Sequence, residues 1–335
     1  MKIDFHFYTI YALCLSAGIN EEDSKKIAYS SQHVDDAKYG HELTFKNGGR
    51  FKQRMSAHKF LDPGVLSKEV GYDIFLPFHF LPGGNGDEFY DKLVCKQNSE
   101  IANKMLEDTI KTLKRPYGLH RLGVSLHVYA DTWSHQKFIG LQHQQNEVSD
   151  LDLLNTDDYS FTENFSGCLP QIGHGEANIF PDIPYLKWSY EDNQNNELEI
   201  NNLERTINAA ERIYKFLTSE VFDNRNDIFN ISPKEWSSIR NNFMKMFKLE
   251  NGIDEKVELW EEKLKEGYFG YESEITYDDR EWFKKAVKVR NIHSNEIYER
   301  KTEFHKSNWK YFHDALNYHS FYVKHELLPQ YGIIT

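Results

Sequence analysis

The segment spanning residues 117 to 139, YGLHRLGVSLHVYADTWSHQKFI, most narrows what this chain can fold into. Read as a helix at about 100° per residue, it places His120, His127, Asp131 and His135 within about 80° of arc. Leu119, Leu122, Leu126, Val128, Tyr129 and Trp133 cover much of the remainder, so the helix reads as buried nearly all round. A buried helix carries four titratable groups on one stripe only if they are paired or bound to metal, because each unpaired polar group costs a few kcal/mol. His127 and Asp131 lie one turn apart, a spacing that lets both side chains grip one ion, and His135 follows one turn later.

Other segments offer further ligands of the same kind. Asp4 and His6 open the chain, and Asp35 and Asp36 close an apolar helix in SSQHVDDA. His58 stands in RMSAHKFLD and His79 in LPFHFLP. His143 and Glu147 follow the central helix, and His174 in GHG precedes Asp182 in PDIPYLKW. Ten of the 15 histidines fall in the first 174 residues, mostly beside carboxylates. Imidazoles mixed with carboxylates and no cysteine suit zinc, manganese or iron in a catalytic site. The number of donors calls for two or three ions.

The chain of 335 residues is long enough for one large domain or two small ones, at about 150 residues per domain. The expected division is a metal-binding helical core at 1–196 and a charged, aromatic-rich helical region at 197–335 packed on it. The fold class is mainly α. Helices are expected in 1–40 with a stop at Gly18, at about 98–113, at 117–139, over 232–249 and 255–266, and through much of 304–331. The stretches 40–98 and 140–197 read as long loops, and long loops in a compact domain are usually functional. Gly83-Gly84-Asn85-Gly86 lacks a following Lys-Ser/Thr and is a turn.

The formal net charge of −12 excludes a basic nucleic-acid clamp, and no transmembrane stretch is present. Metal ions can still supply local positive charge for a phosphate. Cys14, Cys95 and Cys168 lack metal or disulfide spacing and read as core or loop residues. Asp4 and His6 interrupt what would be a signal peptide's apolar stretch, so a cytoplasmic location is expected. Arg50, Arg54 and Arg121 are candidate phosphate clamps.

The segments DFHFYTIYALCLSAG, SSQHVDDA, RMSAHKFLD, LPFHFLPG, RLGVSLHVYADTWSHQKFIG and GHGEANIFPDIPYLKW resemble an uncharacterised bacterial family over about residues 1–190. More distantly, the central helix resembles that of the zinc-dependent phospholipase C and P1/S1 nuclease superfamily, an all-α fold holding three zinc ions. That resemblance implies a ligand order filled by His6, by Asp35 or Asp36, and by His58 or His79. His127 with Asp131, then His135, then a last pair complete it. His143 with Glu147 or His174 with Asp182 can be that last pair, and Asp131 would bridge two ions. The superfamily also uses the amino group of a processed N-terminal tryptophan, a role that Asp4 would take over in a chain beginning Met-Lys-Ile.

The expected activity is hydrolysis of a phosphodiester (nucleic acid, nucleotide or phospholipid head group) by a metal-bound hydroxide, with Asp131, Asp36 and Arg121 as catalytic candidates. A di-iron helical redox protein and a non-catalytic module stapled by metal are the alternatives. Iron and colour would mark the first; unfolding on chelation without any turnover would mark the second.

Overall fold

The computed structural model describes residues 1–58, 64, 67–156, 171–292 and 295–335. Asp4–Thr9 forms a wide π-helical turn that runs into α1 (Ile10–Ser16). The chain reverses at Gly18, and Asn20 caps α2 (Glu21–Asp36) by accepting the backbone N–H of Asp23. Glu21, Glu22 and Asp23 in its first turn complement the helix dipole. A small antiparallel ribbon follows, β1 (Glu42–Thr44) with β2 (Arg50–Lys52). Ser99 then caps α3 (Glu100–Thr112), and the central helix α4 (Gly118–Ser134) succeeds it.

β3 (Ser149–Leu153), β4 (Lys187–Glu191) and β5 (Glu197–Asn201) make an antiparallel sheet in that order. α5 (Asn202–Phe216), α6 (Trp236–Phe247) and α7 (Ile253–Lys265) come next. The hairpin of β6 (Val287–Ile292) and β7 (Asn295–Arg300) leads to α8 (Asn308–Phe321), which continues through tighter and wider turns to Tyr331. The fold is therefore helix-rich with three small sheets. The β6–β7 hairpin lies where the sequence reads as helical.

Every residue of α4 is buried. It packs on α2, α3, α5 and α8 and so forms the axis of the molecule. Its closest approach is at Gly123, where a Cβ would stand 2.2 Å from the Ile27 carbonyl of α2, so only glycine lets the two backbones meet. One apolar core runs from Phe5 to Ile333, and a smaller one lies under the β3–β4–β5 sheet. The expected division after residue 196 falls inside the β4–β5 hairpin, and both stretches fill the same main core. Among the described residues no helix is long and apolar enough to cross a membrane.

The central helix stops at Ser134, short of the expected Ile139. Lys137 turns into the left-handed region at φ 77°, which ends the helical run. His135 is the cap residue, and its buried ring stacks on Phe80. Cys14 and Cys95 are buried in the core; Cys168 lies outside the described residues.

Candidate metal centre

Three groups of imidazoles and carboxylates converge on the second half of α4. They are His6 with His127 and Asp131, Asp35 with His79 and His127, and His135 with His174 and Asp182. Within each group one ligand atom per residue lies within 4.8 Å of the others. The elements supplying them are the N-terminal π turn, the end of α2, the loop after Leu76–Phe78, α4 with its cap residue, the turn that holds His174, and a 3-10 turn at Phe180–Asp182.

Asp131 joins the first two groups. Its Oδ1 is 3.1 Å from His6 Nε2 and accepts the Met1 amino group at 2.9 Å. Its Oδ2 is 3.3 Å from both His79 Nδ1 and His127 Nε2. Asp35 Oδ1 reaches the same two nitrogens at 3.8 and 3.7 Å. In the third group Asp182 Oδ1 lies 3.5 Å from His135 Nε2 and Oδ2 lies 3.6 Å from His174 Nε2. The Met1 amino group also stands 2.9 Å from Asp182 Oδ1, so it touches two of the groups.

The outer partners of the rings fix which nitrogens face inward. A carbonyl only accepts, so a ring nitrogen bonded to one carries the proton. His79 Nε2 donates to the Ser56 carbonyl at 2.8 Å, His135 Nδ1 to the His79 carbonyl at 2.9 Å, and His174 Nδ1 to the Asn178 carbonyl at 2.8 Å. A ring anchored in this way turns its other nitrogen toward the carboxylates. This backbone anchoring is the outer shell usual for metal-ligating histidines. His79 Nδ1 and His127 Nε2 stand 3.3 Å apart beside two carboxylates, an arrangement of acceptors that needs a proton or a cation between them.

The spacing fits a metal. Two ligands about 2.0–2.1 Å from one tetrahedral ion stand about 3.3 Å apart. The contacts within the groups run from 3.1 to 3.8 Å, close to that value. His6 Nδ1, His6 Nε2 and His127 Nδ1 are buried without a hydrogen-bond partner, and the two rings stack at 3.8 Å. The donor set, imidazole and carboxylate without thiolate, matches zinc, manganese or iron.

Electrostatics follow from burial and crowding. Burial raises the Asp35 carboxyl above its ordinary range. Burial also opposes the charge on Asp131, yet the Met1 amino group, His135, His127 and His6 outweigh it and hold its carboxyl well below the ordinary range. Asp182 is likewise held low against burial, by the Met1 amino group, His174 and His135. Burial and the neighbouring His127 push His6 well below 6.5, and burial lowers His174 to about 4. Burial opposes protonation of His79, but the Asp131 hydrogen bond and the charges of Asp35 and Asp131 raise it. The Met1 amino group is raised to about 11, because Asp131, Asp182 and Asp35 overcome its burial.

Several candidates lie elsewhere. Asp4 is buried, but its Oδ1 accepts the Phe5 N–H at 3.0 Å and its charged neighbours are Lys256, Lys2 and the Met1 amino group. The Met1 amino group stands where Asp4 was expected. Asp36 follows Asp35 by about 100° of helix, so it turns away and accepts the Tyr277 hydroxyl at 2.7 Å. His58 belongs to none of the three groups. His120 lies about 10 Å along the helix from His127, and its Nε2 pairs with Asn308 at 3.1 Å. His143 stacks on Tyr90 at 4.1 Å and accepts the Gln145 N–H, and Glu147 is exposed. The loop instead returns His174 and Asp182 to the end of α4.

No arginine candidate reaches the groups. Arg121 is fully buried and bonds Asp108 at 2.7 Å, with Tyr318 and Tyr322 against its guanidinium. Arg54 bonds the Asp73 carbonyl and Ser320, and exposed Arg50 pairs with Glu42. Sequence reasoning missed the Met1 amino group and the three carbonyls that orient the rings; main-chain groups carry no residue-type signal.

Fold and site together define a helix-rich protein with a buried, multi-part histidine–carboxylate centre. The chain belongs to the DUF6765 family, a family of unknown function, whose model matches residues 1–327. No curated protein and no solved structure matches it.

Proposed function

We propose that the protein is a multinuclear metal-dependent phosphodiester hydrolase, related in its site plan to the zinc-dependent phospholipase C and P1/S1 nuclease superfamily. The observation that carries this reading is Asp131. Each of its two oxygens faces a different set of donors, the arrangement expected of a carboxylate shared by two ions. His6 with Asp131 would serve one ion, Asp35, His79 and His127 a second, and His135, His174 and Asp182 a third. Of the alternatives left open by the sequence, the geometry favours Asp35 over Asp36, His79 over His58, and His174 with Asp182 over His143 with Glu147.

Clustered divalent ions supply an activated water and neutralise developing charge on a phosphoryl group. The chain's own residues do the rest. Asp131 and Asp35 fix the spacing of the groups. Ser56, His79 and Asn178 carbonyls hold the imidazoles in one tautomer and orientation. Burial keeps His6 and His174 neutral and ready to ligate at pH 7.

The test is turnover of bis(p-nitrophenyl) phosphate by the wild type and by Asp131→Ala, with and without added zinc or manganese. Metal-dependent hydrolysis that Asp131→Ala abolishes supports the reading. No hydrolysis of this or any nucleotide or phospholipid diester by metal-loaded protein overturns the enzyme assignment and leaves a metal-stapled binding module. Bound iron with a visible absorption band would favour redox chemistry instead.

A further inference from the structure

The net charge of −12 is unevenly spread: residues 280 to 310 hold nine Lys/Arg against four Asp/Glu. Two grooves open beside this segment, lined by none of the residues of the three groups. One, of about 570 Å³, lies between the turn after β1 and the end of β7, where Phe45 bridges to Tyr298. Its lining sets Lys46, Arg300, Lys301 and His305 against one carboxylate, Glu299, which Lys46 meets at 3.7 Å. The other, of about 640 Å³, lies where α2, α4 and α8 begin, and there five Lys/Arg face three carboxylates. Lys26 takes Glu22 at 3.6 Å and Asp23 at 2.8 Å, and Arg225 takes Asp227 at 2.8 Å. The 3-10 turn Phe304–Lys306 lines both grooves, with His305 in the first and Lys306 in the second, so they adjoin there. Lys114, Arg115, Arg300, Lys301 and Lys306 are exposed and form no ion pair among the described residues.

We infer that the two adjoining grooves dock a single nucleic-acid strand through its phosphates. The five unpaired cations all stand in solvent, within reach of an occupant. The planar forks of Arg115 and Arg300 suit phosphate oxygens taken two at a time. Arg300 is already steadied, with its guanidinium over the Phe45 ring and Nη1 3.3 Å from His305 Nε2. Tyr311, partly exposed in the second groove, offers a ring on which a base can stack. A membrane surface fits less well, because interfacial binding depends on apolar side chains that insert. None of the large apolar side chains exposed among the described residues lines either groove. The whole-chain charge averages over this face, so the exclusion of a basic clamp does not extend to it. Leu119 in the second groove precedes Asp131 by about 18 Å along α4. The surface is therefore separate from the metal centre and stands whether or not the hydrolase reading holds.

Fluorescence anisotropy of the full chain with a labelled DNA strand of about 12 nucleotides tests it. Phosphorothioate links keep the probe uncleaved. The expected result is saturable binding whose log affinity falls with log salt at a slope of about −2 to −3.5, for three to five phosphates engaged. A strand of about 4 nucleotides, too short to span both grooves, should bind at least about 10-fold more weakly. The double reversals Lys114→Glu with Arg115→Glu, and Arg300→Glu with Lys301→Glu, should each weaken binding about 10-fold or more and flatten the salt slope. Lys265→Glu on α7, an exposed reversal outside the grooves, should change affinity by no more than about 2-fold. Absence of saturable binding overturns the proposal, as does a double reversal in either groove that weakens it no more than Lys265→Glu. Competition by polyglutamate equal to that of unlabelled strand, or binding to anionic lipid vesicles but not to the strand, also overturns it. The salt slope and the length dependence are read on the wild type, so the test survives a variant that fails to fold.

Discussion

His120 and Arg121 sit in the first turn of α4, and His127 and Asp131 sit in its second half; all four are buried. At the first end each side chain has private partners of its own, although His120 Nδ1 and Arg121 Nε are left without one. His120 bonds Asn308 and packs its ring on Trp282 and Tyr311, and Arg121 is closed off by Asp108, Thr112 and two tyrosine rings. At the second end the groups share one another, and Asp131 alone meets His6, His79, His127 and the Met1 amino group. The same helix therefore carries one end of separately paired side chains and one end where histidines and carboxylates share one another. Helical spacing puts His120 on the same stripe as His127 and Asp131; only the residues arriving from other elements separate them.

Substitutions at the two ends should fail in different ways. The largest effect is expected from Asp131→Ala, which removes the shared carboxylate. Elemental analysis should show loss of two ions, and turnover should fall by more than the roughly 10–100-fold typical of outer-shell changes. Arg121→Ala should leave the metal content of the folded protein unchanged but cost about 3–5 kcal/mol in denaturant unfolding, because Asp108 is left buried without its partner. If Arg121→Ala lost metal instead, the division between the two ends would be wrong.

A smaller effect is expected from His120→Phe, and it depends on pH. Burial lowers His120 to about 3 in the fold, while in the unfolded chain it protonates near 6.5. The unfolded state takes up the proton first, so this histidine's stabilising contribution is full above 6.5 and is lost as pH falls toward 3. The slope is about 1.4 kcal/mol per pH unit in that window. Unfolding at pH 7 and pH 5 should show a shallower loss for His120→Phe than for the wild type. The smallest effect belongs to His143→Ala, expected to stay within about 0.5 kcal/mol of wild type with full metal content. Loss of one ion in that variant would restore the His143–Glu147 pair to the site.

Much of this was legible in the sequence. The central helix, its stripe and the capped start of α2 follow from periodicity and local capping chemistry. The His127–Asp131 pair follows from the one-turn rule. What was not legible depended on long-range return of the chain. Asp4 and Asp36 carry the right chemistry one helical step from the right direction, and no local rule tells Asp35 from Asp36. His143 is nearer than His174 in sequence, but the chain runs past it and comes back with Asp182 from the 3-10 turn at Phe180–Asp182. His135 was read on a helix that has already ended. The β6–β7 hairpin was missed because its charged, alternating residues resemble the solvated helices around it.

The most direct test of the central claim is the metal content of the full chain purified without added metal, measured by elemental analysis against protein concentration. Two or three equivalents of zinc, manganese or iron per chain is the result expected from three converging groups, two of them joined by Asp131. Less than one equivalent, unchanged after incubation with zinc or manganese and gel filtration, would contradict it and leave the cluster as a proton-bridged structural network.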